Sequence, residues 1–178
     1  MQRREVVRYL GAALALPFLP RSAEAAIQLG ERLHLRLAEG EVPFRTLNTA
    51  QQALVTDIAE MIIPETDTPG ATSVKVPQFI DLILTDWMSD DERAVFLSGL
   101  DAIDASGFAA LSPAQKTELL TKLDAARADK SGAGHAFGRL KSLTVYGYFT
   151  SKPVQRDILK TQMFFDGYHG NVPFTPAV

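Results

Sequence analysis

The chain has 178 residues, with 18 Lys and Arg against 21 Asp and Glu, a formal net charge of −3 and no cysteine. The acidic balance argues against nucleic acid as a partner, and the cysteine count excludes a disulfide framework, thiolate metal ligands, haem attached through cysteine and a cysteine nucleophile. A chain of this length fits one domain with a single substantial core.

Taken in chain order, the first signal is Arg3-Arg4, followed by Glu5, Val6, Val7 and Arg8 and an apolar run from Tyr9 to Leu19. This looks like a twin-arginine export signal, although Val6 stands where phenylalanine is common. Ala23-Glu24-Ala25 supplies the small residues that suit a signal peptidase, and cleavage is expected after Ala25. The apolar run is shorter than the roughly 18 to 20 residues that cross a bilayer, and Pro17 and Pro20 interrupt its end, so a permanent anchor is not expected. Such a signal implies the twin-arginine translocase as a partner and a periplasmic protein that leaves the cytoplasm already folded. Residues 1–25 then form the signal, 26–46 a linker and 47–178 the folded domain. Residues 1–25 carry four basic and two acidic side chains, so the remainder has 14 basic and 19 acidic ones, a net charge of −5.

The domain reads as helices separated by clear punctuation. Thr49 and Gln52 have capping-box spacing, and Leu54, Ile58, Met61 and Ile62 recur at helical intervals until Pro64. Pro64 to Ala71 is rich in turn formers, with Pro69-Gly70 set for a tight turn. Pro77 opens a second helix whose apolar face comprises Phe79, Ile80, Ile83, Leu84 and Trp87. Ser89 and Glu92 cap a third, with Val95, Phe96, Leu100 and Ile103 facing inward and an end near Gly107. Ser112, Pro113 and Gln115 start a fourth, carrying Leu119, Leu120 and Leu123. Lys130 to Gly134 breaks it, and a last helix from about His135 to Phe149 offers Phe137, Leu140, Leu143 and Val145 to the core. Nothing alternates with a strand period for long, so the expectation is an all-α, compact domain of about five main helices.

The C-terminal segment differs in kind. Tyr146, Tyr148, Phe149, Phe164, Phe165, Tyr168 and Phe174 make up seven of the 15 aromatic residues, and after about Phe165 they sit among Gly and Pro without a period. An irregular tail so rich in aromatics must cover something: its own helical core, or another protein to which Tyr and Phe act as anchors.

No residue pattern makes a strong catalytic or cofactor site. Gly132, Gly134 and Gly138 are spaced one residue too long for a dinucleotide loop and do not follow a strand. Glu31 and His34 have the spacing of a di-iron half-site, but neither His135 nor His169 has a glutamate three residues before it, so Glu31 and His34 read as an exposed pair just past the cleavage site. Asp57 and Glu60, or Asp81 and Asp86, could be imagined as acid and base, yet they fall on or near the polar sides of their helices, where solvated charge is the expectation. No G-x-S-x-G stretch suggests a serine nucleophile.

An ordered set of segments resembles the gluconate 2-dehydrogenase subunit 3 family. It runs from Leu47 to Pro64, ending in Ile62-Ile63-Pro64-Glu65-Thr66, then Thr68-Pro69-Gly70-Ala71, then Val76 and Phe79-Ile80-Asp81. Phe96 to Leu100, Phe108, Gln115, Leu119, Lys141, Tyr146 to Ser151 and Gly167-Tyr168-His169-Gly170 continue it, so that roughly residues 47 to 174 are covered. The resemblance implies a noncatalytic small subunit with no catalytic, cofactor or metal residues of its own. Its partner would be a large flavoprotein, an FAD-dependent sugar or polyol dehydrogenase of the glucose-methanol-choline type, often joined by a multihaem cytochrome c that supplies haem c in a third subunit. The small subunit serves maturation and carries the export signal for the flavoprotein, which has none; the complex lies in the periplasm, peripheral to the inner membrane. Some relatives place a cysteine near the position of Asn171, a covalent tether this chain cannot form. The surface expected to meet the partner comprises Pro69, Gly70, Tyr146, Tyr148, Phe164, Phe165 and Tyr168. The alternative is a stand-alone exported helical protein that binds a ligand or acts as a scaffold.

Overall fold

The computed structural model describes residues 23–38, 40, 43–129 and 131–160. Within them the chain forms α1 (Ala23–Ala38), α2 (Thr49–Ile62), α3 (Val76–Asp86), α4 (Asp90–Asp104), α5 (Pro113–Ala125) and α6 (Gly132–Thr150), with a 3-10 turn at Phe108–Ala110 and a π-helical turn at Val154–Ile158. No strand occurs among the described residues, in keeping with the all-α expectation. Arg3, Arg4, Phe164, Phe165 and Tyr168 lie outside the described residues.

The helix starts follow from local hydrogen-bonding chemistry. Ser89 with Glu92, and Ser112 with Gln115, close capping boxes as their spacing predicts, each satisfying backbone N–H groups that a first turn leaves unpaired. At α2 the box sits one residue earlier than expected. Asn48, not Thr49, is the cap: its Oδ1 accepts from the Gln51 N–H at 3.0 Å, and its own N–H donates to Gln51 Oε1 at 3.1 Å. Asn caps at least as well as Thr, so the two registers compete closely in sequence. Gln52 is thereby released to donate to the Leu47 carbonyl at 2.7 Å. The last helix begins at Gly132 rather than near His135, so the glycine-rich stretch opens the helix instead of preceding it.

Most of α1 occupies the stretch expected as a linker, and Ala25 lies in its first turn. Leu29, Leu33 and Leu37 recur every four residues and are buried on one face. That face packs on α3 and α6.

Helix α6 is the centre of the bundle and touches each of α1 to α5. A helix surrounded in this way must be apolar or small on most sides. Phe137, Leu140, Leu143, Tyr146 and Tyr148 are buried along it, while Val145 is only half-buried. Two other expected core residues turn outward. Trp87 is 47% exposed because α3 ends at Asp86 and Trp87 leaves the helical path as its cap, at φ −129°. Val95 is 38% exposed, lying beside the inward line of Phe96, Leu100 and Ile103.

Candidate docking surface

The carboxylates that sequence offers as acid and base each hold the fold together. Asp81 is buried, not solvated: it accepts from the N–H groups of Arg45 at 2.8 Å, Thr46 at 3.0 Å and Leu47 at 2.8 Å, fastening the segment before α2 onto α3. Asp86, at the end of the same helix, pairs with Arg36 of α1 at 2.5 Å and with Arg45 at 3.3 Å. Asp57 pairs with Lys116 at 2.6 Å, linking α2 to α5. Glu60 clamps the loop between α2 and α3. Its Oε1 accepts from the Glu65 N–H at 2.8 Å, and its Oε2 accepts from the Thr72 N–H at 3.0 Å and the Thr72 hydroxyl at 2.6 Å. Burial acts to raise the Glu60 carboxyl, but these hydrogen bonds outweigh it and hold the group below its usual range.

His34 is likewise not the exposed residue expected. Its Nε2–H donates to the Gly147 carbonyl at 2.8 Å, and its ring stacks on Phe79 at a centroid distance of 4.8 Å and an interplanar angle of 15°. A carbonyl only accepts, so Nε2 carries the proton of a neutral imidazole. Burial pushes its pKa down to about 4, against a smaller opposing effect of the Gly147 carbonyl. Having its Nε2 committed to a backbone carbonyl, His34 acts as a tie between α1 and α6.

The residues expected to meet a partner divide into three groups. Tyr146 is a correction: its ring is wholly buried and meets Phe79 edge-on at 5.4 Å, and burial raises its phenol well above the usual range, so it belongs to the core. Tyr148 is also buried, and its hydroxyl donates to the Pro69 carbonyl at 2.8 Å. It therefore supports the Pro69-Gly70 loop from beneath. Gly70 is buried against Glu60, where a Cβ would overlap Oε1 of the carboxylate, while Pro69 is half-buried. Phe164, Phe165 and Tyr168 fall outside the described residues.

The clamped loop leads directly into a cleft that the sequence did not disclose. It lies between the end of α1, the 73–75 turn and residues 151–156, and has a volume of about 280 Å³. Leu37, Ala38, Val74 and Pro153 give it apolar walls. Lys75, Lys152 and Arg156 are its cations, His34 lines it from α1, and among the described residues no carboxylate lines it. Lys75 is held in the left-handed region at φ 60°, and its ammonium donates to the Leu37 carbonyl at 3.1 Å, so it also ends α1. The spacing of Leu29, Leu33 and Leu37 was the available clue to this region, because it marks a helix whose C-terminal end must rest on something.

Residues 49–167 match the family of gluconate 2-dehydrogenase subunit 3. The chain belongs to this family. The match begins at the first residue of α2 and runs through α6 and the π-helical turn. No curated protein and no solved structure matches the chain. The family name describes one subunit of a dehydrogenase complex, which agrees with the resemblance drawn from Ile62 to Thr66 and the Thr68 to Ala71 run. Gly70 in the second of these runs and Asp81 in the resembling Phe79-Ile80-Asp81 run prove to be structural: one admits the Glu60 clamp and the other accepts three backbone N–H groups.

Proposed function

We propose that this gluconate 2-dehydrogenase subunit 3 protein is the noncatalytic small subunit of a periplasmic FAD-dependent dehydrogenase of the glucose-methanol-choline type, acting on a sugar or polyol. In this reading it is needed for maturation of the large flavoprotein and carries it through the twin-arginine translocase. The flavin belongs to the large subunit, haem c belongs to a cytochrome subunit where one is present, and the complex lies peripheral to the inner membrane. The observation that carries the reading is the family match over residues 49–167 on a chain that starts with Arg3-Arg4 and an apolar run. The use of Asp57, Glu60, Asp81 and Asp86 as ties between segments supports it, since each is engaged in holding the bundle. Replacing Arg3 and Arg4 by Lys should leave both this chain and its flavoprotein in the cytoplasm. Normal periplasmic dehydrogenase activity in that variant would remove the carrier role.

A further inference from the structure

The cleft beside the Pro69-Gly70 loop has a charge pattern opposite to that of the chain. The protein is acidic overall, yet the charged side chains that line this cleft among the described residues, Lys75, Lys152 and Arg156, are all basic. Resting on the subunit reading above, we propose that the cleft receives a segment of the large subunit in which an apolar side chain is flanked by Asp or Glu. The carboxylate would lie against Lys75 and Lys152, and the apolar side chain against Leu37, Val74 and Pro153.

Several features favour this occupant. The volume, about 280 Å³, has room for inserted side chains. Lys152 has no hydrogen-bond or ion-pair partner among the described residues, and Lys75 commits one donor of its ammonium to Leu37. Arg156 is paired with its sequence neighbour Asp157, an exposed pair that solvent screens. The walls are already fixed before anything binds. Ser73 donates to the Gly70 carbonyl at 2.8 Å, Ser151 to the Tyr148 carbonyl at 2.8 Å, and the Val76 N–H to the Ala71 carbonyl at 3.0 Å. A preformed cleft loses little conformational freedom on binding, and a cluster of three cations favours a segment of the opposite charge.

The test uses the full-length tagged chain, purified from its host together with the large subunit. Lys152→Glu alone, and Lys75→Glu with Lys152→Glu, are compared with Lys122→Glu on α5. The cleft variants should weaken association by about tenfold or more at moderate salt while Lys122→Glu leaves it unchanged. Lys152 is exposed, so the single variant keeps its fold even where the double one does not. A photo-crosslinking amino acid at position 153 should label a large-subunit peptide that carries Asp or Glu beside an apolar residue. Labelling of residues 161–178 of this chain, or of a peptide without a carboxylate, would overturn the assignment. Full association of both charge-reversed variants would also overturn it while leaving the subunit reading intact. If the unmodified chain brings down no large subunit, the subunit reading fails and this assignment fails with it.

Discussion

His34 Nε2 and the Gly147 carbonyl oxygen lie 2.8 Å apart, a hydrogen bond that joins residues 113 positions distant and ties α1 to the central helix. The geometry depends on Phe79, whose ring packs against both members of the pair. It stacks on His34, and a Cβ added at Gly147 would stand 2.7 Å from Phe79 Cδ1. Only glycine lets α6 approach this ring so closely, and that approach brings the Gly147 carbonyl within reach of His34.

This tie makes stability depend on pH in a defined window. The imidazole titrates near 6.5 when unfolded and near 4 when folded, so the unfolded chain binds more protons between those values. The contribution is complete above about 6.5, declines as pH falls toward 4 and does not change further below that. A shift of this size corresponds to about 3 kcal/mol at most. Urea unfolding of the protein and of His34→Gln, compared from pH 7 to pH 4, should show the gap between them narrowing. A gap that stays constant would mean that His34 does not titrate with folding.

Asp81→Ala should be among the most damaging single changes in the domain. It leaves the N–H groups of Arg45, Thr46 and Leu47 without their acceptor, with Leu47 itself buried. A loss of about 3 kcal/mol or more is expected from several unsatisfied backbone donors. Thermal unfolding measures it, and a change within about 0.5 kcal/mol would show that water replaces the carboxylate without cost.

Gly70→Ala should displace Glu60 from its clamp, because the new Cβ would stand only 2.3 Å from Oε1. The Thr72 N–H would lose its acceptor, and its amide exchange with solvent should speed up severalfold while the amides of α6 keep their protection. Unchanged exchange at Thr72 would show that the loop holds its shape without Glu60.

Much of this architecture was legible in sequence because it rests on short-range chemistry. Ser89 with Glu92, Ser112 with Pro113 and Gln115, and Pro77 in the first turn of α3 all act within a few residues, so spacing alone reveals them. What sequence misplaced depends on contacts between distant segments. Asp81 looked solvated because its donors come from residues 45–47, and His34 looked exposed because its acceptor is Gly147. Tyr146 and Tyr148 looked like surface anchors because aromatic content does not tell an inward face from an outward one. The cleft was invisible for the same reason, since Lys75 and Lys152 are brought to it only by the packing of the 73–75 turn and the segment after α6 around the end of α1.

Tyr148→Phe should cost about 1 kcal/mol, the usual net value of one hydrogen bond, because it removes the donor to the Pro69 carbonyl and keeps the ring in place. Equilibrium unfolding gives the stability change, and partner capture gives a second readout. Loss of capture with stability intact would mean that the hydroxyl meets the partner directly instead of supporting the loop.

The most direct test of the account is affinity purification of the C-terminally tagged chain from its own host, with an absorbance spectrum and mass spectrometry of what accompanies it. The account predicts a flavin spectrum, a stoichiometric large dehydrogenase chain and a small subunit that begins near Ala26. A colourless chain purified alone, with its Arg3-Arg4 segment removed normally, would contradict it and leave a stand-alone exported helical protein.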